Sequence, residues 1–459
     1  MGMAESIRYF RFQSLYTPAG WRTPAYVGVD ATGIIRYLDS RIPDGVALEP
    51  VAGFALPGFI NGHSHAFQYA MAGRAEQHPT GIRDDFWTWR EAMYQCAHSL
   101  DPDQLQVIAT LLYIEMLRQG YTHVAEFHYL HHDKNGQPYS QLAEMGGRLA
   151  AAAQAAGIRL TLIPVFYQQA NFGVPLHDRQ RRFFSANTSD YLKLLDASRE
   201  AIQRFPGTRL GASVHSLRAV SGEAVLEAIR ATPYELPFHL HVAEQVKEVE
   251  DCVAHYARRP LQWLLHHNVL NERFFLVHGT HLDDAEITQL PGTGATVVVC
   301  PSTEGNLGDG FFRMAEYVSK CGRWCIGTDS HVGLSPLEEL RMIDYRQRLL
   351  LRLRNPLGAH PAKELVEASV CHGLRSVGRS PSFLQPGDPL DAVVYAAADP
   401  LLEASDDAAR LATLVYTHSS PPIGTLVAGQ WQVHAGHHRL LPAARAAFTE
   451  VVRAIFSSH

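Results

Sequence analysis

The sequence predicts an α/β fold: a (β/α)8 TIM-like barrel carrying a small β-sandwich domain formed by both chain ends. Three observations predict it. Between residues 58 and 384, eight apolar runs of strand length alternate with amphipathic stretches of helical length. The eight runs are continuously apolar, as expected of parallel strands covered on both faces. On either side, in residues 1–57 and 385–459, the pattern changes to short runs punctuated by Gly and Pro. A chain of 459 residues accommodates one large barrel with an appendage.

Taken in order, residues 25–29 and 33–38 read as small antiparallel strands, the N-terminal part of the β-domain. The barrel strands are expected at 59–65, 122–129, 159–167, 210–215, 237–244, 274–278, 296–300 and 324–329. Helices are expected at 105–119, 140–156, 189–205, 222–231, 246–257 and 337–352. Residues 391–395, 411–416 and 425–429 read as further short strands, the C-terminal part of the β-domain. An open doubly wound sheet is the alternative. It is disfavoured because no Gly-x-Gly-x-x-Gly follows the first strand.

Composition narrows the partners. Hydrophobic content of 46%, charged content of 19% and a net charge of −6 provide no general attraction to nucleic acid or an anionic membrane, so a small-molecule partner is expected. No apolar run approaches the ~20 residues that span a bilayer. The opening stretch from Met1 to Arg8 lacks the basic-then-apolar form of a signal peptide, and the expected location is cytoplasmic. The six cysteines (Cys96, Cys252, Cys300, Cys321, Cys325 and Cys371) contain no Cys-x-x-Cys pair and read as reduced.

Polar residues at the C-terminal ends of barrel strands are the functional candidates of this fold. His63 and His65 end the first strand two residues apart, so both imidazoles turn to one side and Ser64 to the other. Glu126 and His128 lie in the second strand and His215 ends the fourth. The fifth carries His239, His241 and Glu244, the sixth His278, and the eighth Asp329 followed by His331. In a chain with 25 histidines one His-x-His pair is a modest signal, but several strands delivering His or Asp to one barrel mouth are hard to attribute to packing. His63, His65, His241 and Asp329 would hold one divalent ion and leave a position for water. His239 lies one pleat deeper and reads as a core or supporting residue. A second metal would need a bridging carboxylate or modified lysine, and the ends of strands three and four contain no lysine. Three nitrogens and a carboxylate suit zinc, with Fe(II) and Mn(II) also compatible.

The motifs Pro57-Gly58-Phe59-Ile60-Asn61-Gly62-His63-Ser64-His65, His241-Val242-Ala243-Glu244, Val277-His278-Gly279 and Gly327-Thr328-Asp329, in this order, resemble the mononuclear deaminase branch of the amidohydrolase superfamily. Within that branch, five segments resemble the formimidoylglutamate deiminase family. They are Ser64-His65-Ala66-Phe67-Gln68, Phe86-Trp87-Thr88-Trp89-Arg90, Glu126-Phe127-His128-Tyr129, His215-Ser216-Leu217-Arg218 and Thr328-Asp329-Ser330-His331. The resemblance implies hydrolysis of N-formimino-L-glutamate to N-formyl-L-glutamate and ammonia, a step of histidine degradation. It further implies that Glu244 carries the proton, that His278 and Asp329 orient the attacking water, and that the protein is a homodimer. Gln68, Arg90, Tyr129, His215 and Arg218 are the implied substrate contacts, with the two arginines matching the two carboxylates of the dicarboxylate substrate. The aromatic segment around Arg90 is expected at the pocket, with a dimer interface as its other possible place. Two other readings stay open: a deaminase of an aromatic aminoheterocycle (guanine, an adenosine derivative or a triazine), and a catalytically silent barrel. Ser330-His331, where many related deaminases have small residues, points away from the guanine- and triazine-acting forms of the first. Retention of the full ligand set points away from the second.

Overall fold

The computed structural model describes residues 7–42, 44–76 and 85–457. Eight parallel barrel strands follow one another around the sheet: Phe59–Ser64, Tyr121–His128, Arg159–Phe166, the paired segments Thr208–Leu210 and Ala212–Val214 as the fourth, then Phe238–Val242, Phe274–His278, Thr296–Val299 and Arg323–Ile326. The continuous apolar runs have the expected cause, since the second strand is buried at every residue. Between the first and eighth strands the barrel closes through backbone hydrogen bonds. The N–H groups of Thr328 and Asp329 reach the carbonyl of His63 at 3.1 and 3.0 Å, and Ser64 pairs with Asp329 in parallel. Gly327 makes this closure possible, because a Cβ there would lie 2.8 Å from the Cβ of His63.

The helices are delimited by local chemistry. Asp101 and Gln104 form a reciprocal capping box ahead of helix Pro102–Gln119, with a proline in its first turn. Gly120, at φ 101°, ends that helix in the left-handed conformation and turns the chain into the second strand. Helix Pro361–Ser376 packs over the first and eighth strands, behind the seam.

Both chain ends build a second sheet, in the order Gln430–His434, Gly424–Val427, Ala392–Tyr395, Leu48–Pro57, Arg8–Thr17, Ala25–Val29 and Ile35–Asp39, with Gly20–Arg22 also paired to Arg8–Thr17. The N- and C-terminal contributions meet where Leu48–Pro57 pairs antiparallel with Ala392–Tyr395. Leu48–Pro57 runs through Gly58 directly into the first barrel strand, so the small domain is anchored next to the His63/His65 pair.

One expected strand is a helix. Residues 411–416 form the second half of helix Asp407–Tyr416, capped by Asp406, whose side chain accepts the Ala409 N–H at 2.8 Å. Its buried Leu411, Leu414 and Val415 are three and four residues apart, a helical spacing that a six-residue apolar window conceals. The C-terminal helix Leu441–Phe456, not expected from the sequence, packs on helix Pro102–Gln119. Among the described residues no helix is long and apolar enough to cross a membrane, and all six cysteines are free. Residues 1–6, which bear on the signal-peptide reading, lie outside the described residues.

Candidate metal centre and active site

The first strand delivers His63 and His65 as its pleat dictates. Their Nε2 atoms lie 3.1 Å apart, while Ser64 faces the opposite side and donates to Glu126 at 2.6 Å. Glu126 also accepts the Ala66 N–H at 2.6 Å and the Tyr113 hydroxyl at 3.1 Å, so a buried carboxylate holds the Ser64 hydroxyl on one side of His65 and the Ala66 backbone on the other. His241 joins the pair from the fifth strand, and the ligand nitrogens of His63, His65 and His241 all lie within 4.8 Å of one another. Asp329 completes the group from the eighth strand, with Oδ1 3.1 Å from His65 Nε2 and 3.6 Å from His63 Nε2.

The chemistry of this donor set fits a cation. The Nδ1 atoms of His65 and His241 each face a backbone carbonyl, of Phe127 at 2.9 Å and of His215 at 3.1 Å. A carbonyl only accepts, so both Nδ1 atoms carry the proton and both Nε2 lone pairs turn inward. Burial, reinforced by the neighbouring imidazoles, holds His63 and His241 well below the ordinary histidine pKa and therefore neutral. Burial alone would raise Asp329, but His65 and His278 keep it below the ordinary carboxylate value. Neutral imidazoles with converging lone pairs beside an ionised carboxylate make a His-rich metal-binding site.

Next to it lie Glu244 and His278. Ala243 and Glu244 follow the fifth strand in a turn whose N–H groups both bind the carboxylate of Glu248, at 3.1 and 2.9 Å. Ala243 has φ 52°, His278 φ 70°, Asp329 φ 48° and His331 φ 65°; these non-glycine residues in the left-handed region cluster at the strand ends of the site. His278 Nε2 stands 3.6 Å from Glu244 and 3.7 Å from Asp329, and its Nδ1 is 3.5 Å from Glu304. Burial opposes the imidazolium, yet the surrounding carboxylates, Glu244 foremost, raise His278 to about 10. Burial also pushes Glu244 up, against the pull of His278.

The mouth opens into a cavity whose wall includes His65, His241, Glu244 and Asp329. Gln68, Arg90, Tyr129, His215 and Arg218 all line the same cavity. Gln68 donates to the Tyr129 hydroxyl at 2.8 Å, and its Oε1 is buried without a partner. His215 lies with its ring 4.8 Å from both His241 and Tyr167. Arg90 comes from helix Phe86–Ser99 and reaches the Tyr167 hydroxyl at 3.5 Å. Arg218 is buried with Nη1 unpartnered. Among the described residues neither arginine has a carboxylate within ion-pair distance. His63 and His278 lie beneath the cavity wall.

Three of the candidate histidines fall outside the centre: His128, whose ring lies 4.9 Å from that of His131, His239 and His331. His239 binds the carbonyl of Ser376 at 2.9 Å and is a core residue. His331 bridges Thr328, at 2.8 Å, and Ser64, at 3.4 Å, behind the ligands. Sequence reasoning missed Glu248, Glu304, Tyr94, Tyr167 and Gln180. Glu248, one helical turn beyond Glu244, carried a usable spacing signal. Tyr167 directly follows the third strand and Tyr94 lies one helical turn after Arg90, both positional signals, whereas Gln180 and Glu304 come from short helical segments whose return to the site has no local signature.

A barrel of this kind, with three imidazoles and a carboxylate converging at its C-terminal mouth beside a buried Glu-His pair, defines a metal-dependent hydrolase. The model of the amidohydrolase family matches residues 54–431, and the chain belongs to that family. It is 42% identical over 443 residues to a formimidoylglutamate deiminase from Pseudomonas aeruginosa, covering 95% of this chain and 96% of that one. Among solved structures, an amidohydrolase from Brucella melitensis superimposes with a TM-score of 0.92 at 38% identity over 98% of this chain and 99% of its own. An adenosine deaminase from Xanthomonas campestris with bound zinc gives a TM-score of 0.80 at 20% identity, covering 98% of each chain, and shares the fold.

Proposed function

We propose that this protein hydrolyses N-formimino-L-glutamate to N-formyl-L-glutamate and ammonia, as a deiminase of histidine degradation. The observation that carries this reading is the pair of guanidinium groups, Arg90 and Arg218, that enter one cavity with Glu244 and, among the described residues, have no carboxylate partner there. Leaving the buried Arg218 and the half-buried Arg90 unpaired is costly, and a substrate with two carboxylates relieves both. An uncharged aminoheterocycle would relieve neither. The 42% identity to the Pseudomonas aeruginosa formimidoylglutamate deiminase supports the same substrate.

His63, His65, His241 and Asp329 are the proposed ligands of a single divalent ion, zinc by the character of the donors. When bound, the ion polarises water and lowers its pKa towards ~7. The chain does the rest. Glu244 takes the proton of the attacking water and delivers it to the departing nitrogen, so that ammonia leaves instead of amide anion. Its burial-raised pKa suits a group that must hold a proton between these two events. His278 and Asp329 orient the water from their side of Glu244. Gln68, Tyr129 and His215 add hydrogen bonds to the substrate. The division at residues 57/58 and 384/385, a homodimer and a cytoplasmic location complete the proposal, the last supported by six free thiols.

Ammonia release across a panel of formimino, guanidino and aminoheterocyclic compounds, with bound metal quantified on the same sample, tests it. Release from N-formimino-L-glutamate well above the rest is expected. Preference for a flat heterocycle would overturn the substrate assignment.

A further inference from the structure

Glu304 takes no part in the proton transfers assigned to Glu244, yet its buried carboxylate stands directly behind His278. The two nitrogens of that imidazole face different carboxylates. Nε2 stands 3.6 Å from Glu244 and 3.7 Å from Asp329, on the reacting side, whereas Nδ1 stands 3.5 Å from Oε1 of Glu304. Neither nitrogen makes a closer hydrogen bond among the described residues, so what meets Nδ1 is Glu304. That carboxylate is itself held on two sides. From the first turn of helix Pro301–Leu307, its Oε1 accepts the Cys300 N–H at 2.8 Å and its Oε2 accepts Nη1 of Arg346 at 2.8 Å. Arg346, in helix Pro336–Leu351, also donates to the Pro301 carbonyl and so clamps the start of the helix that carries Glu304. Gly305 leaves room for the clamp, because a Cβ there would lie 2.8 Å from Arg346 Nη2. A carboxylate paired with a guanidinium accepts and does not donate, so Nδ1 of His278 carries a hydrogen towards it. Turned over, the ring would present carbon to Glu304, and the carboxylates on its two sides therefore select one orientation.

We infer that Glu304 is a positioning residue of the reaction: it fixes the ring orientation of His278 and the hydrogen on Nδ1, so that Nε2 is aimed at the attacking water beside Glu244. The inference rests on the reading of His278 as a group that orients the water, and deepens it. An imidazole whose far nitrogen is held by a carboxylate keeps one face towards the reacting atoms, which is the work such supporting carboxylates do behind histidines at catalytic centres. Arg346 and the Cys300 N–H hold Glu304 in turn, so the aim of Nε2 is set by a chain of contacts that runs from the reacting atoms to helix Pro336–Leu351.

Two measurements on the metal-loaded protein test this. Nitrogen NMR of protein labelled in its histidines, with the His278 signals identified by their loss in His278→Gln, should show a hydrogen on Nδ1 of His278. A bare Nδ1 would overturn the inference, and because this measurement needs no substitution of Glu304 it decides the point even where Glu304→Gln fails to fold. The second measurement is kinetic. Glu304→Gln should lower kcat by about ten- to a hundredfold, the usual effect of removing a carboxylate behind a functional histidine, with KM changed by less than about twofold. Introduced into His278→Gln, the same substitution should change the residual kcat by less than about twofold, because a residue that acts only through His278 then has nothing left to position. An unaltered kcat in the single variant, or an equal loss in both backgrounds, would overturn the inference, the latter by showing a structural role. Unmodified protein that releases no ammonia from N-formimino-L-glutamate would remove the proposed reaction while leaving the NMR measurement on Nδ1 intact, and the kinetics would then be read with the compound of the panel that is hydrolysed.

Discussion

His63 and Asp329 are hydrogen-bonded partners across the barrel seam: the Asp329 N–H binds the His63 carbonyl at 3.0 Å, and the Asp329 carbonyl accepts the N–H of His65 at 3.1 Å. Closing the barrel and assembling the metal donors are therefore one structural event. Three of the five carboxylate-to-imidazole approaches within 4 Å at the site, those to His63, His65 and His278, are made by Asp329, so the seam concentrates charge that a cation would balance.

Removing the ion should loosen that seam. A ligand at about 100 times its Kd contributes about 2.7 kcal/mol to the folded state. Chelator-treated protein is expected to melt at a lower temperature than untreated protein, and added zinc should restore it. Asp329→Asn should lose both the bound metal and the zinc response. Identical melting curves before and after verified metal removal would show that these donors hold no stabilising ion.

Replacing Glu244 by Gln keeps its shape and removes its capacity to carry a proton. Turnover is expected to fall by about 100 to 10,000-fold, while metal content, set by residues on other strand ends and by His241, stays unchanged. Mass spectrometric metal analysis beside the kinetic assay checks both halves. A variant that keeps normal turnover would assign the proton transfer to another group.

The Arg218 guanidinium is buried with Nη1 unpartnered, and a substrate carboxylate would satisfy it. Arg218→Met should raise KM for the dicarboxylate by about ten- to a hundredfold, the worth of a hydrogen bond to a charged group. The change in kcat should be much smaller, because the contact is made equally in the ground and transition states. An unaltered KM would locate that carboxylate elsewhere.

The barrel was legible because its strands are local apolar runs, and the centre because His63, His65, His241, Glu244 and Asp329 each sit at the end of such a run. Less local features were not legible. Gln180 touches two tyrosines from other segments, Glu304 reaches His278 from the short helix Pro301–Leu307 after strand seven, and neither has a sequence spacing that reports it. Residues 411–416 were misread because six apolar or small residues fit a strand and a helical turn equally well. Only the Asp406 cap and the wider burial pattern decide between them.

Asp391 ties the barrel to the second sheet. Arg159, at the start of the third barrel strand, and Arg379, just after helix Pro361–Ser376, both pair with its Oδ2, the latter at 3.0 Å, while its Oδ1 accepts the Ala428 N–H at 2.8 Å. Burial would raise this carboxyl, but the two guanidiniums hold it below the ordinary value near 3.9. A carboxyl whose pKa is depressed in the folded state contributes its full stabilisation above the unfolded value, and that contribution disappears as pH falls through the folded value. Asp391→Asn should therefore cost about 3 kcal/mol near neutrality, where it leaves two largely buried arginines without their counter-charge. As pH drops below about 3.9, the two proteins should converge in stability. Denaturant midpoints of both, measured from pH 7 down to pH 3, check the sign. A gap that stays constant or widens in acid would mean that Asp391 acts through packing and not through its charge.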